Sequence, residues 1–145
     1  MTKTRNTGSL QYKSFGLALQ AMVILARKAT TCSSCEMAEL LDSEATALRR
    51  ILASLVRDQL LVTREGRDGG YILNKAPEDI TLAEIYRALE VGESRNKAVS
   101  ETICDSKFGN RMKEACDDIL DEMDQSVVSV LEQHTLADLT ARTVC

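Results

Sequence analysis

Between Lys13 and Lys28, apolar residues fall at Phe15, Ala18, Leu19, Met22, Val23, Leu25 and Ala26. Steps of three and four dominate, which predicts an amphipathic helix with one buried face. The stretch "TTCSSCE", Thr30 to Glu36, breaks that period and reads as a loop. A short helix follows, capped by Ser33 or Ser34, with Met37, Leu40 and Leu41 turned inward. A longer helix starts at an Asp42/Ser43 cap signal and carries the stripe Leu48, Ile51, Leu52, Leu55 and Val56. Arg49, Arg50 and Arg57 lie off that stripe, toward solvent.

Leu61, Val62, Tyr71, Ile72 and Leu73 are apolar and β-prone, with Asp68-Gly69-Gly70 between them. That combination predicts strand, turn, strand. Thr81 and Glu84 then form a capping-box pair, opening a helix whose apolar face is Leu82, Ile85, Tyr86 and Leu89. Residues 92–108 are polar with weak periodicity and read as a loop with at most one helical turn. A long helix is predicted from Asn110 to Gln133. Its stripe is Met112, Cys116, Ile119, Met123, Val127 and Val130, widened by Leu120 and Leu131. "TLADLTARTVC" closes the chain as a short capped helix and a loose end.

Composition sharpens this picture. With 3% aromatics and no Trp, the core rests on aliphatic residues and Met, which suits helices. One Pro leaves little to interrupt them. No apolar run approaches the length of a membrane span and the start lacks an apolar signal core, so the expectation is a cytoplasmic protein without a membrane partner. The five Cys then read as reduced thiols, metal ligands or sensors rather than structural disulfides. Net charge is −4, but it is unevenly placed. Residues 1–75 carry eleven Lys/Arg against seven Asp/Glu, or +4; residues 76–145 carry seven against fifteen, or −8. A basic front and an acidic rear suggest two jobs in one chain.

The order helix, helix, helix, strand, turn, strand, helix describes a winged helix-turn-helix. The basic, glycine-rich "EGRDGG" suits a DNA groove, where glycines let backbone approach the duplex and Arg64 and Arg67 supply charge. The recognition helix is expected at about Ser43 to Asp58, its N-terminal turns reaching base edges in the major groove. The candidate DNA-contacting set is Ser43, Glu44, Thr46, Arg49, Arg50, Arg64, Arg67 and Gly69, beside a basic N-terminal arm. Arg49 suits a guanine edge, and Thr46 a phosphate or thymine methyl. The fold class is thus mainly α with a small β-hairpin: a winged helix-turn-helix domain plus a long C-terminal dimerisation helix. We place the DNA-binding domain at 1–90, a sensor loop at 91–108, and the dimerisation helix and tail at 109–145.

"EGRDGGYILNKAPEDITLAEIYRALE" resembles the wing and following helix of the Rrf-two family of bacterial winged-helix regulators. "YKSFGLALQAM" resembles that family's first helix, and the likeness extends over about residues 10–140. It implies a homodimeric transcription factor, usually a repressor, that binds a double-stranded DNA operator and dimerises through the long penultimate helix. The 110–133 seam points the same way, since such a stripe wants a partner helix. Met112, Cys116, Ile119, Leu120, Met123, Val127 and Val130 are the candidate interface. Many members of that family hold an iron–sulfur cluster on three closely spaced Cys after the "YRALE" helix. Here that segment has only Cys104, with Cys116 twelve residues on. A cluster needs about four ligands, so no bound cofactor is expected. The lone His134 reads as a surface residue.

Cys32-Ser33-Ser34-Cys35 is a CxxC pair at a helix start, where backbone N–H groups can depress a thiol pKa. It opens the helix-turn-helix, so oxidation there can tilt the recognition helix. Cys32, Cys35 and Cys104 are the candidate redox sensors; Cys116 reads as core and Cys145 as a free end. A small ligand, metal or cluster is the alternative signal. Catalysis finds no support: one His, no phosphate loop, no carboxylate pair, and no βαβ context for a thiol oxidoreductase. The remaining rival is a winged-helix interaction module that does not bind DNA.

Overall fold

The computed structural model of the 145-residue chain describes residues 7–28 and 30–144. The N-terminal arm and Cys145 lie outside the described residues. Helix α1 runs Thr7–Arg27, α2 Ser34–Leu41 and α3 Ala45–Arg57. Strands β1, Leu61–Arg64, and β2, Gly70–Leu73, pair antiparallel in the register Leu61↔Leu73, Val62↔Ile72, Thr63↔Tyr71 and Arg64↔Gly70. A 3-10 turn at Pro77–Asp79 leads to α4, Leu82–Ala88. Then come α5, Val91–Ser100, α6, Lys107–Glu132, and α7, Leu136–Arg142.

Four helix starts have a local cause. The Ser33 hydroxyl accepts from the Glu36 N–H at 3.2 Å and caps α2. Thr81 and Glu84 form the expected capping box on α4, and Thr135 and Asp138 form a second one on α7. The Ser106 hydroxyl accepts from Gly109 N–H and caps α6. Asp42 ends α2 in a left-handed conformation, φ 50°. The N-cap of α3 is therefore Glu44, which makes no side-chain cap, and not the Asp42/Ser43 pair.

One core holds the described residues together. Ala18, Met22 and Leu25 of α1 meet Leu48, Leu52 and Leu55 of α3 and Ile85 and Tyr86 of α4, all at or near zero exposure. Tyr86 meets Phe15 edge-on, ring centres 5.7 Å apart. The chain's end returns to this core: Leu136 is fully buried in it. There Leu82 N–H donates to the His134 carbonyl and Leu136 N–H to the Ile80 carbonyl, at 3.0 and 2.8 Å. Packing therefore does not follow the division of roles at residues 90 and 108.

Two expectations are corrected. Residues 92–108 are not mainly loop, since α5 covers Val91–Ser100. Its hold comes from other elements: Val91 enters the core, Gly92 lies against Asp124, and Arg95 pairs with Asp124 of α6 at 3.3 Å. Tertiary contacts override a polar stretch with little intrinsic periodicity. Leu40, expected inside, is 61% exposed, whereas Met37 one turn earlier is fully buried. A helix of eight residues turns only one narrow face to the core.

Candidate nucleic-acid interface

The core stripe of α3 is Leu48, Ile51, Leu52 and Leu55. Burying it turns Glu44, Thr46, Arg49 and Arg50 to solvent, and all four are exposed. Arg64 ends β1 and Arg67 sits in the turn; both are exposed. Among the described residues, none of these four arginines has a side-chain hydrogen-bond or ion-pair partner. They are free to meet phosphate or a base edge, whereas Arg57 is committed to Asp58 at 3.1 Å and the Ala88 carbonyl at 2.8 Å.

Ser43 departs from its expected place. It is half-buried, and its hydroxyl oxygen is covered with no partner. It lies in the turn between α2 and α3, and its hydroxyl oxygen is not offered to solvent.

Two of the wing glycines are also demanded by the protein's own backbone. A Cβ on Gly69 would stand 2.4 Å from the Arg64 carbonyl oxygen. At Gly70, with φ 149°, it would stand 2.5 Å from the Cys32 carbonyl oxygen. Both are required by the protein's own backbone before any duplex arrives. Thr31, missed by sequence reasoning, adds to this hold: its hydroxyl donates to the Asp68 carbonyl at the wing tip. Nothing in the local pattern signals that contact, which joins segments 37 residues apart.

The cysteines separate by environment. Cys32 is fully buried in the core, and Cys35 and Cys104 are exposed. The Cys32 Sγ lies 3.6 Å from Glu36 Oε2 and 3.8 Å from Lys28 Nζ. Lys28 and Glu36 pair with each other at 3.0 Å. Burial pushes the Cys32 thiol above its usual range; the Lys28 ammonium opposes this and the Glu36 carboxylate reinforces it. The depressed pKa expected of a CxxC pair is thus reversed at Cys32, because it precedes the cap in the core rather than facing the helix N–H groups. Cys104 lies in the turn before α6, its Sγ 3.3 Å from the Ser106 hydroxyl.

The candidate interface on α6 divides into two faces. Met112, Ile119, Met123 and Val130 are 40–58% exposed, and Phe108, missed from the sequence, is 69% exposed. Cys116 is half-buried. Leu120 is covered by its own chain at 8% exposure, and half-buried Val127 packs against the central core. Those two serve the inner face of α6 and leave the outer stripe to the others.

Among the described residues, no three His, Cys, Asp or Glu side chains group as a metal site requires. Nor is any described helix long and apolar enough to cross a membrane.

Comparison with known proteins agrees with this architecture. The family model of Rrf2, described as iron-dependent transcriptional regulators and the same family as the Rrf-two regulators above, matches residues 12–142. YffB of Lactococcus lactis subsp. lactis, named as an HTH-type transcriptional regulator, is 30% identical over 131 residues, covering 87% of this chain and 83% of that one. NsrR of Shouchella clausii, also named as an HTH-type transcriptional regulator, is 28% identical over 132 residues, covering 88% and 85%. Among solved structures, CymR of B. subtilis, titled the global cysteine regulator, is 25% identical. It superposes with a TM-score of 0.62 over 99% of this chain and 100% of that one. These relatives are transcriptional regulators rather than enzymes, and the chain belongs to the Rrf2 family of winged-helix DNA-binding transcriptional regulators.

Proposed function

We propose that the protein is a homodimeric repressor that binds a two-fold symmetric duplex operator, with affinity tuned by cysteine oxidation. The observation that carries this reading is the set of exposed arginines on α3 and the wing, which have no side-chain partner among the described residues. Thr46, Arg49 and Arg50 of α3 read the major groove, while Arg64 and Arg67 of the wing meet phosphate. The outer stripe of α6, Met112, Ile119, Met123 and Val130, packs on its copy in the partner, with Phe108 at one end. Dimerisation places two reading heads about 34–36 Å apart, one DNA turn.

The redox step begins at an exposed thiol. Peroxide converts Cys35 to a sulfenic acid and leaves as water; the Cys32 thiol then displaces a second water to give a disulfide. To reach Cys35, the Cys32 sulfur must leave Glu36 and Lys28, which disturbs the Ser33 cap and the backbone that holds the wing. Recognition tolerates little displacement, so operator affinity falls. A Cys35–Cys104 bond is the second pairing.

Footprinting tests the dimer on DNA: protection of two symmetric half-sites is expected, and a single asymmetric half-site contradicts it. Serine replacement of Cys32, Cys35 and Cys104, singly and together, tests the signal. An oxidant response that survives in the triple variant removes these thiols as the sensor.

A further inference from the structure

An open cavity of about 390 Å³ lies between the N-terminal half of α1, one side of α3 and the α4–α5 junction. That volume falls within the range of small-molecule sites. Lys13 and Arg50 line it, and neither has a side-chain partner among the described residues. Arg57 is held at its edge by the Ala88 carbonyl, and the Gln11 amide donates to the Leu89 carbonyl at 2.6 Å. Glu90 is the one carboxylate among the lining residues and Arg57 is already paired with Asp58, so Lys13 and Arg50 against Glu90 leave +1. Beneath these charges lie Leu17, Ile51 and Leu89, the last two only 6% and 5% exposed.

We propose that this cavity binds a small amphipathic anion, a carboxylate or phosphate ester with an apolar body, and that its occupancy changes operator affinity. The cations take the acid group and the aliphatic floor takes the body. A phosphodiester of duplex DNA shares the acid chemistry but brings no apolar group to that floor. Ala47, Arg50, Ile51, Ser54 and Arg57 make α3 one wall of the cavity. A ligand there holds Arg50 away from DNA and fixes α3 against α1. This effect on affinity rests on α3 being the DNA-contacting helix; binding of the anion does not.

The test therefore starts without DNA. Phenyl phosphate and inorganic phosphate are titrated calorimetrically into the full-length protein at constant ionic strength. Phenyl phosphate is expected to bind about tenfold tighter than inorganic phosphate, because only it fills the floor. Lys13→Gln alone, and Lys13→Gln with Arg50→Gln, should each weaken phenyl phosphate by about tenfold or more. Arg67→Ala, a wing change, should bind it as the parent does. No saturable binding, or equal binding of both phosphates by every variant, overturns the proposal. So does a Lys13→Gln variant that loses duplex affinity yet keeps phenyl phosphate, since Lys13 then serves a DNA phosphate. Phenyl phosphate binding in a protein that ignores every duplex would sink the DNA reading and leave the site standing.

Discussion

Cys32 and Tyr71 exchange two backbone hydrogen bonds: Cys32 N–H donates to the Tyr71 carbonyl at 3.1 Å, and Tyr71 N–H donates back at 2.9 Å. The residue before the α2 cap is thereby a third, one-residue strand on the wing. Wing and helix-turn-helix are hydrogen-bonded to each other at this point, so a shift of Cys32 is passed to both parts of the proposed DNA surface.

Gly70 stands beside that bridge, and Gly70→Ala is expected to break it. The new Cβ meets the Cys32 carbonyl at 2.5 Å, on a backbone with φ 149° that side chains rarely adopt. A loss of about 1–3 kcal/mol is expected from such strain, read as a lower Tm. Amide exchange in β1 and β2 should quicken more than in α1 and α4. Parent-like exchange in the wing would show that the bridge holds nothing.

The hairpin, the α4 capping box and the long α6 could all be read from the sequence because their signals are local. Thr81 and Glu84 are three residues apart, and the Asp-Gly-Gly turn lies inside the hairpin it makes. What escaped reading depends on distant partners. The helical state of α5 rests on Asp124, about thirty residues away, and the covered face of Leu120 on which side of α6 meets α4 and α5. The Cys32 thiol differs from its expectation for the same reason: CxxC spacing says nothing of the core that closes over one sulfur.

Asp124 ties α6 to α4 and α5, and Tyr86 carries the link on to α1. The Asp124 carboxylate accepts from the Tyr86 hydroxyl at 2.6 Å and from Arg95 at 3.3 Å, while Tyr86 meets Phe15 edge-on. Asp124→Ala strands Arg95, whose side chain is 16% exposed and whose Nε already has no partner. A destabilisation of about 1–3 kcal/mol is expected, against about 1 kcal/mol for Tyr86→Phe. Urea midpoints check both, and an Asp124→Ala midpoint equal to the parent's contradicts the role of the pair.

Alkylation should separate the cysteines. Iodoacetamide near neutral pH is expected to modify Cys35 and Cys104 first, with Cys32 last, because thiolate is the reactive form and burial keeps Cys32 protonated and covered. The folded Cys32 pKa lies above its ordinary value of 9.0, so its stabilising share is fully present below about pH 9 and is lost as pH climbs through the raised folded value. Peptide mass spectrometry gives the order directly. Cys32 labelled as fast as Cys35 would contradict its buried state in solution.

Dimerisation should depend on the outer stripe of α6. Ile119 is 58% exposed in the single chain. Ile119→Asp enters a symmetric interface twice and should weaken the dimer by roughly 3 kcal/mol or more. Light scattering at micromolar concentration should then find monomer, with helix content retained by circular dichroism. A stable dimer of this variant would place the interface on another surface.

The most direct measurement is the salt dependence of duplex binding, by fluorescence anisotropy, for the parent, Arg67→Ala and Arg49→Ala. The parent should bind random duplex at low salt, with affinity falling steeply as salt rises. Arg67→Ala should flatten the log–log slope by about one unit on every sequence, as loss of one phosphate contact does. Arg49→Ala should cost about 1–3 kcal/mol on the operator and relax preference at one base position. A parent that binds no duplex at low salt, or variants that bind as the parent does, would contradict a DNA surface built from α3 and the wing.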